Sequence, residues 1–258
     1  MRLVALAAPK GRITRLVSFG LGFFLVANVY MVPWLAQSPR ATDIAGLILL
    51  VILLYESSRS RERAEWAALL LAGLPAAIPV GWGVYALLRH DLWTIVLSVR
   101  WVLAVPLAIY LIAMMRDPGS RKHVLLGMFY GIILNTVILV FQYDGLGKFI
   151  QVLGLAPIDF KASSVYGVER MPGLHGHANP SMAVVSLIVP VIISLVVLHY
   201  RRNAWSWYYG GLGLTAMVAA STLTLTRSPI VVALITGLIG VIVVSSFRRR
   251  LIWASIIM

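Results

Sequence analysis

Residues 92–115 read LWTIVLSVRWVLAVPLAIYLIAMM, an apolar stretch with a single charged residue, Arg100. A helix needs about 20 apolar residues to cross the hydrocarbon of a bilayer, so this stretch predicts a transmembrane helix. Comparable stretches recur along the chain. The sequence predicts eight spans, near Leu16–Ala36, Asp43–Tyr55, Trp66–Leu88, Leu92–Met115, Val124–Gln142, Ser181–Leu198, Trp205–Leu225 and Pro229–Phe247.

The composition supports the same interpretation. Of the 258 residues, 60% are hydrophobic and 12% are charged, whereas soluble domains carry about 25% charged residues. We therefore expect an all-α, polytopic transmembrane helix bundle forming a single membrane domain over residues 1–258. The net charge of +13 lies in short loops between apolar runs, which predicts contact with membrane lipids and no nucleic-acid partner. The absence of cysteine excludes disulfides and thiolate metal sites.

The basic residues predict the orientation. Fifteen of them fall in the N-terminal segment and in alternate loops, and six fall in the other loops. By the positive-inside rule the first set is cytoplasmic, which predicts a cytoplasmic N-terminus. After Arg248–Arg250 come eight apolar residues, Leu251 to Met258, which resemble the start of a ninth span. Eight residues cannot cross the bilayer, so we expect the natural protein to continue past Met258.

A polar segment at residues 143–180 is predicted to face outward. Its first part, Gly145 to Phe160, has apolar residues at helical spacing. This pattern is typical of a helix lying on the membrane surface, or equally of one packed on the bundle. Its last part, RMPGLHGHANP from Arg170 to Pro180, is rich in glycine. Irregular backbone near a bilayer must be covered by protein or line a cavity, so we look for function here first.

Two helix starts on this face have the same design. Asn179-Pro180 opens the sixth span and Ser228-Pro229 opens the eighth; such pairs favour the first turn of a helix. Each helix N-terminus carries a partial positive charge and free N–H groups. Each also has an arginine nearby in sequence, Arg170 and Arg227. The pattern predicts a diphosphate site formed by Arg170, Arg227, Asn179 and Ser228; the alternative is that the arginines bind only lipid headgroups.

Three further residues are candidates. Arg100 lies about nine residues from the outer end of its span, where it either extends to the interface or lines a cavity and helps to hold an anion. His175 and His177 share a side of the chain only if the backbone is extended. One of them is a candidate catalytic general base or phosphate donor. No third ligand is near, so neither a metal nor another cofactor is expected.

The two motifs together resemble the O-antigen ligase and O-antigen polymerase superfamily. The resemblance rests on Arg170-x-x-Gly173 followed by His177-Ala-Asn179, and on the Ser/Thr run that leads from Ser221 to Arg227. It covers residues 170–247, and the spacing of the motifs, with two spans and a short basic loop, also matches. The resemblance implies that the family's large outward loop, with its catalytic histidine, lies beyond Met258.

The resemblance also implies a function. Such enzymes are glycosyltransferases of the bacterial inner membrane that need no metal. They move a glycan from an undecaprenyl-diphosphate carrier on the periplasmic side, and Arg170 and Arg227 would hold the diphosphate. A ligase passes the glycan to lipid A–core, whereas a polymerase passes it to a second carrier-linked glycan. The alternatives are a non-enzymatic transporter or flippase of lipid-linked sugars, and a structural membrane subunit without a ligand.

Overall fold

The computed structural model describes residues 12–27, 40–59, 77–144, 146, 163–165, 168–170, 184–198, 205–225, 230–231 and 234–235. These residues are almost all helical. In chain order the elements are α1 (Arg12–Ala27), α2 (Ala41–Arg59), α3 (Ala77–Leu88), α4 (Leu92–Arg116), α5 (Pro118–Tyr143), β1 (Ser163–Val165), β2 (Val168–Arg170), α6 (Ile188–Leu198) and α7 (Trp205–Thr224).

The predicted helical fold class is confirmed in this coarse form. Two of the described helices are long and apolar enough to cross a membrane: Thr94–Arg116, with a mean hydropathy of 2.2, and Pro118–Tyr143, with 2.4. They coincide with the predicted fourth and fifth spans. Eight spans remain a prediction. The surface helix expected over Gly145 to Phe160 lies outside the described residues apart from Leu146, as do most of the last span and the whole of Leu251 to Met258.

The described residues also include two strands, which form a short antiparallel hairpin. Its register pairs Ser163 with Arg170, Ser164 with Glu169 and Val165 with Val168. Two residues, Tyr166 and Gly167, separate the strands in the sequence.

A single residue, Asp117, separates α4 from α5. Its carboxylate accepts the backbone N–H of Ser120 at 2.7 Å, and its carbonyl accepts the N–H of Arg121 at 2.9 Å. Asp117 is therefore the N-cap of α5, and Pro118 takes the first helical position, where a missing N–H costs nothing. The hydrogen bonds from Ser120 lower the pKa of the Asp117 carboxyl below its ordinary value.

The chain divides into two compact units, residues 1–127 and 128–258. In the first, α1 and α5 touch backbone to backbone. A Cβ added at Gly22 would lie 2.1 Å from the carbonyl oxygen of Val124, and one added at Gly127 would lie 2.0 Å from that of Phe19. Glycine at both positions permits this approach, as small residues do between helices in membranes.

Helix α2 packs along α4 in the same unit. A Cβ on Gly46 would lie 2.3 Å from the carbonyl oxygen of Leu103, and Asp43 binds Arg100. Both contacts have the same sequence separation, 57 residues, which indicates that α2 and α4 run in the same direction. Helix α3 returns against α4, where Gly83 faces Ser98.

The second unit has its own core. Phe129, Ile132, Leu139, Ile188 and Leu195 are fully buried. The ring of Phe129 meets that of Tyr209 edge to face, with 5.0 Å between the centroids. Helix α6 packs on α7.

Candidate functional site

Only two of the predicted site residues lie in the described part of the chain. Arg100 belongs to α4, and Arg170 is the last residue of β2. His175, His177, Asn179, Arg227 and Ser228 lie outside the described residues. The structure therefore describes three parts of the predicted site. They are Arg100, the backbone of Arg170, and the end of α7, which precedes Arg227 in the sequence.

The hairpin fixes the backbone of Arg170. This residue pairs with Ser163 across the two strands, and the glycine-rich segment with both histidines starts at the next residue. Strands as short as these were not expected from the sequence. Because of this pairing, the residue directly before the glycine-rich segment, Arg170, is held by the hairpin.

The first part of the Ser/Thr run before Arg227, Ser221 to Thr224, forms the end of α7. The hydroxyl of Thr222 donates to the carbonyl of Ala219 at 2.8 Å, and the buried hydroxyl of Thr224 donates to that of Ala220 at 2.7 Å. These hydroxyl protons are thus used within the helix. Thr222 and Thr224 therefore support the helix end rather than supplying donors to a ligand, whereas the buried Oγ of Ser221 has no hydrogen-bond partner among the described residues.

Helix α7 stops in an unusual backbone conformation. Leu225 follows its last residue with φ at 51°, in the left-handed region that usually takes glycine after a helix. A bulky side chain adopts it only at some cost in strain. Helix α7 has therefore ended by Leu225, two residues before Arg227. Helical backbone is present again at residues 230–231.

Arg100 binds a carboxylate that the sequence analysis did not connect with it. Its Nε donates to Oδ2 of Asp43 at 3.1 Å, and each side chain is 16% exposed. The same oxygen accepts the backbone N–H of Arg40 at 2.9 Å. Because the carbonyl of Arg40 accepts the first helical hydrogen bonds, Arg40 is the N-cap of α2. Asp43 thus caps the N-terminus of α2 and binds Arg100 through the same carboxylate oxygen.

This ion pair lies in a groove between α2 and α4. The groove has a volume of about 320 Å³, and apart from Asp43 and Arg100 it is lined by Ile44, Leu47, Ile95, Val96, Val99 and Leu103. A second groove of about 360 Å³, between α2, α3 and α4, shares Ile95, Val99 and Leu103. The two form one apolar surface along α4 with a charged pair at one position.

The sequence left two roles open for Arg100, reaching the interface or lining a cavity and helping to hold an anion. In the structure Arg100 lines the groove and pairs with Asp43, and its role towards an anion stays a prediction. A charge within a span costs at least a few kcal/mol unless it is paired, and Asp43 supplies the pairing. Asp43 is the one residue at this candidate site that the sequence analysis did not connect with Arg100. The available signal was its place in the first turn of its own helix, where an acid suits the helix dipole.

No protein-family model, curated protein or solved structure matches this chain.

Proposed function

We propose that the protein is a glycosyltransferase of the bacterial inner membrane, resembling O-antigen ligases. It would transfer a glycan from undecaprenyl diphosphate to lipid A–core on the periplasmic side. The observation that carries the proposal is the ordered pair of arginine motifs, Arg170-x-x-Gly173 with His177-Ala-Asn179, and Thr226-Arg227-Ser228-Pro229. Each motif places an arginine near a Pro-started helix, and two such positions match the two phosphates of the carrier.

The described backbone at Arg170 and before Arg227 supports a site that is organised before the ligand arrives. Arg170 ends a paired strand, and Arg227 lies two residues in sequence after Leu225, where α7 has ended. Catalytic groups act best when they are already in place, because no free energy is then needed to order them during the reaction.

The proposed reaction is a displacement with inversion at the anomeric carbon. The acceptor hydroxyl oxygen forms a bond to this carbon while the bond to the diphosphate oxygen breaks. The hydroxyl proton passes to a general base, for which His175 and His177 are the candidates in this chain. Negative charge grows on the leaving diphosphate, where Arg170, Arg227 and the helix starts at Asn179 and Ser228 would stabilise it. Polymerisation of carrier-linked glycans uses the same chemistry with a different acceptor.

One observation favours a second candidate, a transporter or flippase of lipid-linked sugars. Arg100 and Asp43 form an ion pair beside the N-terminus of α2. Charged residues within spans often mark a substrate path, and transporters place helix ends at such depths. A transporter would move the glycan carrier without breaking its glycosidic bond.

Reconstitution of the purified full-length protein in liposomes with a labelled carrier-linked glycan separates these functions. A ligase releases free carrier diphosphate and labels added lipid A–core. A polymerase lengthens the carrier-linked glycan. Movement of intact carrier between leaflets, with no release of carrier diphosphate, would contradict the enzyme and support the transporter.

A further inference from the structure

The C-terminal end of α5 carries an aspartate that does not stabilise the helix. The structure describes four aspartates, and three of them, Asp43, Asp91 and Asp117, lie at the N-cap or in the first turn of a helix. A carboxylate suits the helix dipole there. Asp144 instead follows the last residue of α5, at the negative end of the dipole, where a carboxylate is unfavourable. Its position therefore has a reason other than helix stability.

Asp144 is exposed, and its carboxylate is unpaired. Among the described residues this carboxylate takes part in no hydrogen bond and no ion pair. The backbone that carries it is fixed. The N–H of Asp144 donates to the carbonyl of Val140 at 3.1 Å, and the N–H of Leu146 donates to that of Phe141 at 3.0 Å. An open acceptor on a fixed turn can receive hydrogen bonds from a ligand without first being ordered.

An exposed aromatic ring precedes this carboxylate in the chain. Tyr143 is 66% exposed, whereas Gln142, one residue earlier, is 6% exposed. Successive residues of a helix are about 100° apart, so the buried Gln142 sets the rotation of the last turn and leaves Tyr143 on its exposed side. A tyrosine ring offers a flat apolar face of negative potential. The helix thus ends in a ring and a carboxylate that are both open to a ligand.

The charges at the two ends of α5 predict the side of the membrane on which this pair lies. The 26 residues of α5 are about 39 Å long at about 1.5 Å per residue, which is enough to cross about 30 Å of hydrocarbon. Arg116, Arg121 and Lys122 surround the first turn, so we expect that end to be cytoplasmic. Tyr143 then lies in the periplasmic interface, where tyrosine is common, and Asp144 lies next to it.

The chemistry of the pair selects a sugar as the ligand. A carboxylate repels a phosphate, but it accepts hydrogen bonds from sugar hydroxyls, and such charge-assisted bonds are the stronger ones. The C–H groups on one face of a sugar ring are weakly positive and pack on the negative face of an aromatic ring. A metal ion needs several ligands, and the described residues contain no group of three side chains that could hold one.

We propose that Tyr143 and Asp144 form a sugar-binding subsite for the carrier-linked glycan, with one sugar ring on Tyr143 and its hydroxyls on the Asp144 carboxylate. The proposal rests on the proposed transferase function, since it names residues that hold the glycan of that substrate. The subsite binds a part of the substrate that does not react. Such binding is the same in the ground state and the transition state, so it lowers the KM and leaves kcat unchanged.

Saturation-transfer difference NMR tests the subsite directly. The probe is the phosphate-free oligosaccharide that mild acid releases from the carrier-linked glycan, added to the full-length protein in phosphatidylglycerol nanodiscs. Asp144→Ala should weaken binding by about tenfold or more, and Asp144→Asn, which keeps one acceptor oxygen, should weaken it less. Tyr143→Ala should weaken binding several-fold, whereas Tyr143→Phe keeps the ring and should bind almost as the wild type does.

Two controls separate binding from folding. Because its carboxylate lies at the unfavourable end of the dipole, Asp144→Ala should leave the thermal midpoint of unfolding unchanged or raise it. Tyr208→Ala removes a tyrosine that is 45% exposed near the start of α7, and it should bind the oligosaccharide as the wild type does.

Three results would overturn the proposal. The first is the absence of oligosaccharide binding by the wild type, and the second is wild-type binding by both Tyr143→Ala and Asp144→Ala. The third is loss of the oligosaccharide signal when phosphatidylethanolamine replaces phosphatidylglycerol, which would assign the pair to a lipid ammonium group.

Transfer kinetics distinguish failure of the subsite from failure of the enzyme. Asp144→Ala should raise the KM for the carrier-linked glycan by about tenfold or more, with kcat near that of the wild type. Active transfer with an unchanged KM in Asp144→Ala and Tyr143→Ala would remove the subsite and leave the transferase standing. Oligosaccharide binding that depends on these residues, without any transfer by the wild type, would keep the subsite and contradict the transferase.

Discussion

Oδ2 of Asp43 lies 3.1 Å from Nε of Arg100, and the same oxygen accepts the backbone N–H of Arg40 at 2.9 Å. One carboxylate thus neutralises the charge of Arg100 in α4 and also caps the N-terminus of α2. The pair also fixes which turns of the two helices are neighbours. Because both side chains are largely buried, neither can be removed without leaving the other charge in an apolar groove.

We predict that Asp43→Ala lowers the free energy of unfolding by about 1.5–3 kcal/mol, the contribution of a hydrogen bond to a charged group. The reason is that Arg100 loses its carboxylate. The double variant Asp43→Ala/Arg100→Leu should recover part of the loss, since no charge is then left unpaired. Unfolding in mixed detergent micelles measures both. Additive losses in the double variant would contradict the pairing as an energetic unit.

Gly22→Ala should destabilise the fold, because its Cβ would lie 2.1 Å from the carbonyl oxygen of Val124. Overpacking of this kind costs about 1–3 kcal/mol, and more when backbone has to move. Gly20→Ala is a matched control in the same helix, since nothing lies within 4 Å of its added Cβ. It should be neutral or stabilising by up to about 1 kcal/mol. Equal effects of the two substitutions on the thermal midpoint would contradict the close approach of α1 and α5.

Asp117 predicts an acid-sensitive helix start. Its pKa is lowered by the hydrogen bonds from Ser120, so it is lower in the folded chain than in the unfolded one. The carboxylate therefore stabilises the fold at pH values above its ordinary pKa, and this contribution is lost as the pH falls through the lowered value. Asp117→Asn should keep most of the stability at pH 7 and lose this acid dependence, whereas Asp117→Ala should lose about 1 kcal/mol at pH 7. Unfolding measured from pH 7 to about pH 3 checks both, and identical pH profiles for wild type and Asp117→Asn would contradict the assignment.

The predicted orientation can be tested with an impermeant thiol reagent. A cysteine at Lys161 should be labelled in cells whose periplasm is accessible, and one at Arg121 should be labelled only after the inner membrane is opened. The reason is the distribution of basic residues, fifteen on one side and six on the other. The cysteine-free parent chain gives the background. Labelling at position 121 but not at 161 in intact cells would reverse the topology and remove the periplasmic site.

The sequence predicted α4 and α5 well because long apolar runs have few alternatives to a membrane helix. For Leu92–Met115 the structure has Leu92–Arg116, and for Val124–Gln142 it has Pro118–Tyr143. The sequence placed the start of the second helix too late, at Val124 instead of Pro118. The reason is that the first turn of α5 is polar and depends on Asp117 as its N-cap. The strands next to Arg170 could not be predicted, since three residues are too few to show an alternating pattern.

The candidate site was predictable only in part. The apolar run around Arg100 showed that a charge lies within a span, yet its partner is 57 residues away in the chain. Local periodicity carries no information about such pairing, which depends on how α2 packs on α4. The residues that supply the family resemblance lie mostly outside the described part of the chain, so their roles remain predictions.

We propose that Arg170 and Arg227 together hold the carrier diphosphate. A hydrogen bond to a charged group contributes about 1.5–3 kcal/mol, so loss of either arginine should slow glycan transfer by about tenfold to a hundredfold or more. Lysine should restore only part of the rate, because it keeps the charge but lacks the two-pronged guanidinium. Protein amount and membrane insertion should stay near those of the wild type, since neither arginine is needed to cross the bilayer.

The most direct measurement is the initial rate of transfer from a carrier-linked glycan by purified full-length protein. It compares Arg170→Ala, Arg170→Lys, Arg227→Ala and Arg227→Lys, with Arg89→Ala as an arginine control from the turn between α3 and α4. We predict a large loss for both alanine variants, partial recovery for both lysine variants and a normal rate for Arg89→Ala. Wild-type transfer by normally expressed Arg170→Ala and Arg227→Ala would contradict the account and leave both arginines as headgroup anchors.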